Sequence, residues 1–194
     1  MVLKASQAGN ELYQAASVSQ TVIVAKATQS LSWSPDSGLT YRTNLIALDA
    51  KASSALPVAY RVVSGPGAIV TNQLSLTGVG SVVIAAEQSG DANWLAATAI
   101  TNRFTVGRGV QVVTFEPIGD QTLGAGSVKL AAHASSGLPV TFSVINGQAA
   151  VNDQQLALLG EGAVTLRAIN PGSPLWLSAS ADQTFTVLPV GTQP

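Results

Sequence analysis

Ser53-Ser54-Ala55-Leu56-Pro57-Val58-Ala59-Tyr60-Arg61-Val62 returns 82 residues later as Ser135-Ser136-Gly137-Leu138-Pro139-Val140-Thr141-Phe142-Ser143-Val144. In both copies a turn-forming Ser-Ser-x-Leu-Pro leads into an alternation, with Val58, Tyr60 and Val62 on one side and Ala59, Arg61 and Val63 on the other. Period two places one face of a β-strand toward a core and the other toward water. The register extends outward without a gap. Leu76-Thr77-Gly78-Val79-Gly80-Ser81-Val82 matches Leu158-Leu159-Gly160-Glu161-Gly162-Ala163-Val164, and Trp94-Leu95 matches Trp176-Leu177. Residues 29–99 and 111–181 share 26 identities over 71 positions. The matches fall on turns and apolar positions together, as expected of a structural repeat rather than shared composition.

Further strands are predicted at Leu45–Leu48, Leu74–Leu76 and Val82–Ala86, with counterparts at Val128–Leu130, Leu156–Leu158 and Val164–Ala168. Phe104-Thr105-Val106 and Phe185-Thr186-Val187 close each unit. Roughly seven short strands in about 80 residues, with turns every 8–12, is the pattern of an immunoglobulin-type β-sandwich. No 3.6-residue periodicity holds over a helix-length span. The first 24 residues follow the same register, since Gly9-Asn10-Glu11-Leu12-Tyr13 resembles Gly90-Asp91-Ala92-Asn93-Trp94. The expectation is an all-β chain of two tandem immunoglobulin-like β-sandwiches, over 25–106 and 107–190. Residues 1–24 would be the C-terminal strand remnant of a preceding repeat, and the chain a fragment of a longer array.

Composition narrows the function. Among 194 residues there are 9 Lys and Arg, 10 Asp and Glu, one His and no Cys. A net charge of -1 lacks the basic footprint of a nucleic-acid binder. No run approaches the ~18 apolar residues of a membrane-spanning helix, so no membrane insertion is expected. Without Cys there are no disulfides, thiolate metal sites or cysteine nucleophiles.

The run Ala52–Tyr60, the Leu-Thr-Gly-x-Gly motif at Leu76–Gly80 and the Gly90-Asp91-Ala92-Asn93-Trp94 segment resemble bacterial immunoglobulin-like repeats of the Big/MBG type. Such repeats occur in tandem in large secreted and cell-surface proteins, chiefly as spacers and adhesive stalks. The resemblance implies an extracellular, non-enzymatic structural module whose partners are the neighbouring repeats of the same parent protein. The second repeat departs from it by carrying Gly172-Ser173-Pro174-Leu175 at the aspartate segment.

Candidate sites are few. The lone His133 aligns with Lys51, which reads as a solvated strand face rather than a catalytic base. The acidic residues form no close pair for acid–base chemistry, and neither Asp91 with Asn93 nor Glu116 offers the oxygens that calcium needs. No catalytic residue, metal site or cofactor is therefore expected. The Gly-x-Gly pairs at 78–80 and 160–162 are expected to be hairpin turns, because no helix follows to receive a phosphate.

Tyr13, Trp94 and Trp176 share one position just after a turn. Exposed rings at Trp94 and Trp176 could stack on a glycan or other cell-surface ligand. Buried ones would cover an end of the sandwich, with the indole N–H reaching a backbone carbonyl. Trp33 and Phe115 coincide in the first strand and are expected in the core. Two further expectations concern the segments around the repeats. Residues 2–24 could mediate self-association through strand edges. Gly107 and Gly109 would make the linker Val106-Gly107-Arg108-Gly109 more flexible than Val24-Ala25-Lys26-Ala27.

Overall fold

A computed structural model describes residues 1–35 and 38–191. After a hairpin of β1 (Val2–Gln7) and β2 (Ala16–Thr21), the first repeat supplies β3 (Leu31–Ser32), β4 (Gly38–Thr40), β5 (Ile46–Ala47), β6 (Lys51–Ala52), β7 (Ala59–Ser64), β8 (Gly67–Val70), β9 (Gln73–Leu76), β10 (Gly80–Glu87) and β11 (Ile100–Gly107). The second supplies β12 (Val113–Phe115), β13 (Gln121–Thr122), β14 (Val128–Lys129), β15 (Ala132–Ala134), β16 (Thr141–Asn146), β17 (Ala149–Asn152), β18 (Gln155–Leu158), β19 (Gly162–Asn170) and β20 (Ala179–Leu188). The chain is all-β, with no helix among the described residues.

In the second repeat one sheet runs β13-β20-β19-β16 and the facing layer consists of β12-β15 and β14-β18-β17. Pieces β14 and β15 are two halves of one strand, since β14 pairs with β18 and β15 pairs with β12. The layers are therefore first-second-fifth-fourth against third-sixth-seventh, the strand partition of an immunoglobulin sandwich. A short segment, β13, lies parallel to β20 at the edge of the second layer. The first repeat has the same order, with β4-β11-β10-β7, β3-β6 and β5-β9-β8. The predicted fold class, two tandem immunoglobulin-like β-sandwiches, is the one the chain adopts.

The described residues group into two compact units that cut across the repeats. One joins Met1–Pro35, Leu48–Arg61 and Ile84–Asn102, and the other holds the rest. In the first, Ala52, Val58 and Ala86 are buried, with Leu31, Trp33, Ala50, Tyr60 and Ile100 packed against them. In the second, the sandwich of the second repeat closes over Val113, Phe115, Leu130, Leu156, Val164, Leu166, Phe185 and Val187. These are the inward residues of alternating strands, as in β19, where Val164, Leu166 and Ala168 are buried.

Two sequence expectations need correction. The Gly-x-Gly segments are not hairpins, because β9 and β10 belong to different sheets, as do β18 and β19. They are corners between layers, where Gly80 and Gly162 take φ of 122° and 108°. The tight hairpins are instead Thr71-Asn72, joining Val70 to Gln73, and Asp153-Gln154, joining Asn152 to Gln155. Thr71 and Asn72 both have positive φ, which matches the twist of the strands they join. Trp33 also differs from expectation. It is half-buried at the margin of its core, edge-on to Tyr60 at 5.5 Å, with its indole N–H donated to Asp49 Oδ1 at 3.1 Å. Phe115 is buried as expected.

Within residues 1–24, β1 and β2 form an antiparallel hairpin, in register from Val2 opposite Thr21 to Gln7 opposite Ala16. Every residue of β1 and β2 is exposed.

Candidate functional site

The recurring aromatic sits in one loop built three times. Gly9, Gly90 and Gly172 open it with φ of 79°, 76° and 85°. A side chain there would overlap the backbone around Tyr13, Trp94 and Trp176 respectively, so the loop needs glycine for both conformation and space. The next residue folds its side-chain oxygen onto the two following N–H groups. Asn10 Oδ1 accepts from Leu12 and Tyr13, both at 2.9 Å. Asp91 Oδ1 accepts from Asn93 at 2.8 Å and Trp94 at 2.9 Å. Ser173 Oγ accepts from Leu175 and Trp176, both at 3.2 Å. Asn, Asp and Ser share a short acceptor side chain that can do this. The serine in the second repeat thus preserves the loop, and the Asp91 carboxylate is occupied in shaping it. Among the described residues no cluster of three or more His, Asp or Glu is placed to hold a metal ion.

Beneath the loop lies a buried polar cluster, also present twice. In the second repeat, Gln111 Nε2 donates to Asn170 Oδ1 at 2.7 Å and to the Leu177 carbonyl at 2.6 Å. Asn170 Nδ2 donates to the Pro139 carbonyl at 2.6 Å, and its Oδ1 also accepts from the Gly172 N–H at 2.8 Å. Ser136 donates its hydroxyl to Gln111 Oε1. In the first repeat Gln29, Ser54 and Gln88 hold the corresponding places, with Gln29 Nε2 reaching Gln88 Oε1 and the Leu95 carbonyl. The first serine of each Ser-Ser pair accepts from the backbone N–H just before the first strand, Ser53 from Ser30 at 3.1 Å and Ser135 from Val112 at 3.0 Å. The most recognisable repeated motif is thus a set of internal fastenings. The Ser-Ser pairs were marked by their recurrence, but nothing in the spacing revealed that Gln111 meets Asn170 across 59 residues.

Trp94 and Trp176 are both half-buried. Each backbone pairs in parallel with the start of its own repeat, Trp94 with Ala27 and Trp176 with Gly109. Among the described residues neither indole N–H donates a hydrogen bond, unlike that of Trp33. The rings differ in their neighbours. Trp176 meets Tyr41 edge-to-face, with centroids 5.4 Å apart and planes at 88°. Trp94 makes no ring–ring contact among the described residues. Tyr13 is 70% exposed.

Among the described residues the titratable groups form no reacting constellation. His133 is exposed on β15, opposite Thr114, with Nδ1 3.9 Å from Glu116 Oε1. Burial pushes the Tyr60 hydroxyl above its ordinary value, and that hydroxyl donates to the Ala50 carbonyl at 3.5 Å. Across β19 and β20, Arg167 grips Asp182 through two bonds of 2.7 Å. The hydrogen bonds from Arg167 hold the Asp182 carboxyl below its ordinary range.

No protein-family model matches the chain, and no curated protein matches it. Solved structures do resemble it. Immunoglobulin domains 1-5 of Sidekick-1 share 13% identity at a TM-score of 0.43, covering 97% of this chain and 45% of that one. EC1-4 of Drosophila N-cadherin shares 14% at 0.38, covering 97% and 57%. The D00-D0 domain of Intimin shares 15% at 0.31, covering 81% and 98%. The chain thus spans about half the length of the first two. Overlaps this low carry no functional argument, and the fold stands on its own strand order.

Proposed function

We propose that this chain is a non-enzymatic structural module, two immunoglobulin-like repeats of the bacterial Big/MBG type from an extracellular stalk or adhesin. The observation that carries the reading is the fate of the repeated polar residues. Gln29, Ser54 and Gln88, like Gln111, Ser136 and Asn170, are engaged with one another and with backbone. What the two repeats have in common is therefore the means of holding a sandwich together. Its partners are neighbouring repeats of the parent protein, and its place is the cell surface or the secreted fraction. A second copy pairing along the exposed β1 would be a strand-mediated form of self-association.

Glycan binding through the half-buried rings of Trp94 or Trp176 is the alternative. Single-molecule stretching of the chain between its ends separates the readings. A spacer gives two unfolding events, each releasing roughly 28 nm for about 80 residues at ~3.5 Å per residue. Unfolding without resisting force, together with retention on a polysaccharide column, would replace the spacer by a binding module.

A further inference from the structure

We infer that Tyr41, Gly109 and Trp176 form a clasp that couples the first repeat to the second. Tyr41 follows β4 in the first repeat and is fixed there by its N–H, which donates to the Gly107 carbonyl at 2.8 Å. Trp176 belongs to the aromatic loop of the second repeat. That loop is tied to the linker by two hydrogen bonds, Gly109 N–H to the Leu175 carbonyl at 2.8 Å and Leu177 N–H to the Gly109 carbonyl at 2.9 Å. The rings of Tyr41 and Trp176 meet at 88°, an arrangement that brings the positive edge of one aromatic to the negative face of the other.

Gly109 makes the approach possible. A methyl at this position would sit 2.5 Å from the Tyr41 carbonyl oxygen and 2.7 Å from two carbons of the Trp176 ring. Both are closer than a side-chain carbon can come, so any other residue would part the loop from the Tyr41 segment. The two linker glycines, read from sequence as a source of flexibility, therefore have the opposite effect. Gly107 ends β11, paired with Thr40, and Gly109 is the contact point. In the first repeat Ala27 holds the position of Gly109, paired with Trp94.

The clasp deepens the spacer reading and rests on it for its purpose, since a stalk holds its reach only through joints that resist bending. It has its own test. In the full chain, Tyr41→Ala, Trp176→Ala and the double variant are compared by urea unfolding. Amide hydrogen exchange at Gly109 and Leu177 is read against the core amide of Leu166. We expect Tyr41→Ala, a change in the first repeat, to raise exchange at Leu177 in the second by about 2–10-fold, the range an aromatic pair supplies. The double variant should cost less than the sum of the singles. Gly109→Ala, which keeps both rings, should raise the same two amides. Additive unfolding effects, or unchanged exchange at Leu177 in Tyr41→Ala and Gly109→Ala, would overturn the clasp. If Trp176→Ala does not fold, those two variants decide the matter through exchange alone. Failure here leaves the two stretching events of a spacer untouched, so the two readings fail separately.

Discussion

Trp94 and Trp176 occupy the same place in the same loop, opened by the same glycine and shaped by the same kind of side-chain acceptor. Trp176 meets Tyr41, a residue of the repeat before its own, whereas Trp94 belongs to the first full repeat of this sequence. The residue paired with each backbone differs as well, Gly109 beside Trp176 and Ala27 beside Trp94. A loop can thus be kept as an architectural unit while what surrounds its aromatic changes. Recurrence at a position shows that the fold needs the loop. What the ring does depends on what lies against it.

The largest effect expected concerns what the two loops stand on. Asn170 is 2% exposed and Gln88 8%. Asn170→Ala removes three hydrogen bonds at once and leaves the Pro139 carbonyl and Gly172 N–H without their partners. We expect a loss of about 3 kcal/mol by urea unfolding. Gln88→Ala should cost about 1–2 kcal/mol, because water reaches its site more readily. Equal losses would show that the two supports are equivalent and that the difference lies only in the rings.

The rings come next. Trp176→Ala should lower stability by about 2 kcal/mol and Trp94→Ala by about 1, since the first loses the Tyr41 contact as well as apolar burial. The reverse order would break the comparison. Loss of polysaccharide retention in Trp94→Ala at an unchanged melting temperature would make that ring a binding surface.

The smallest effect lies in the cross-strand ion pairs. The second repeat has a two-bond Arg167–Asp182 fork, and the first a single Arg61–Glu87 contact at 2.6 Å. The folded pKa of Asp182 is depressed from 3.8, so its stabilisation is complete above that value and is lost as pH falls through the depressed one. Exposure keeps the effect small. Asp182→Asn should flatten the acid limb of the stability curve slightly, as followed by circular dichroism below pH 4.

Much of the fold was legible because β-sandwich strands carry their orientation in their alternation. Val58, Tyr60 and Val62 announce a strand, and the 82-residue offset announces that the solution is used twice. The Gly-x-Gly corners were misread because glycine marks a turn without saying whether the next strand stays in the same sheet. The Thr71-Asn72 hairpin went unseen because Thr is a weak signal for positive φ. Trp94 and Trp176 were found by their recurrence, whereas Tyr41, aligned with Leu123, left no trace.

By itself the sequence determined the all-β class, the repeat and the loop that carries the aromatic, because each depends on neighbours close along the chain or on a period within one strand. Only the tertiary structure decided that Gln111 meets Asn170, that Gly109 lies against Tyr41 and Trp176, and that Trp176 rests on Tyr41. Those pairings join residues 59, 67 and 135 positions apart. Distances of that kind are set by how sheets stack and corners turn, and local pattern holds no record of them.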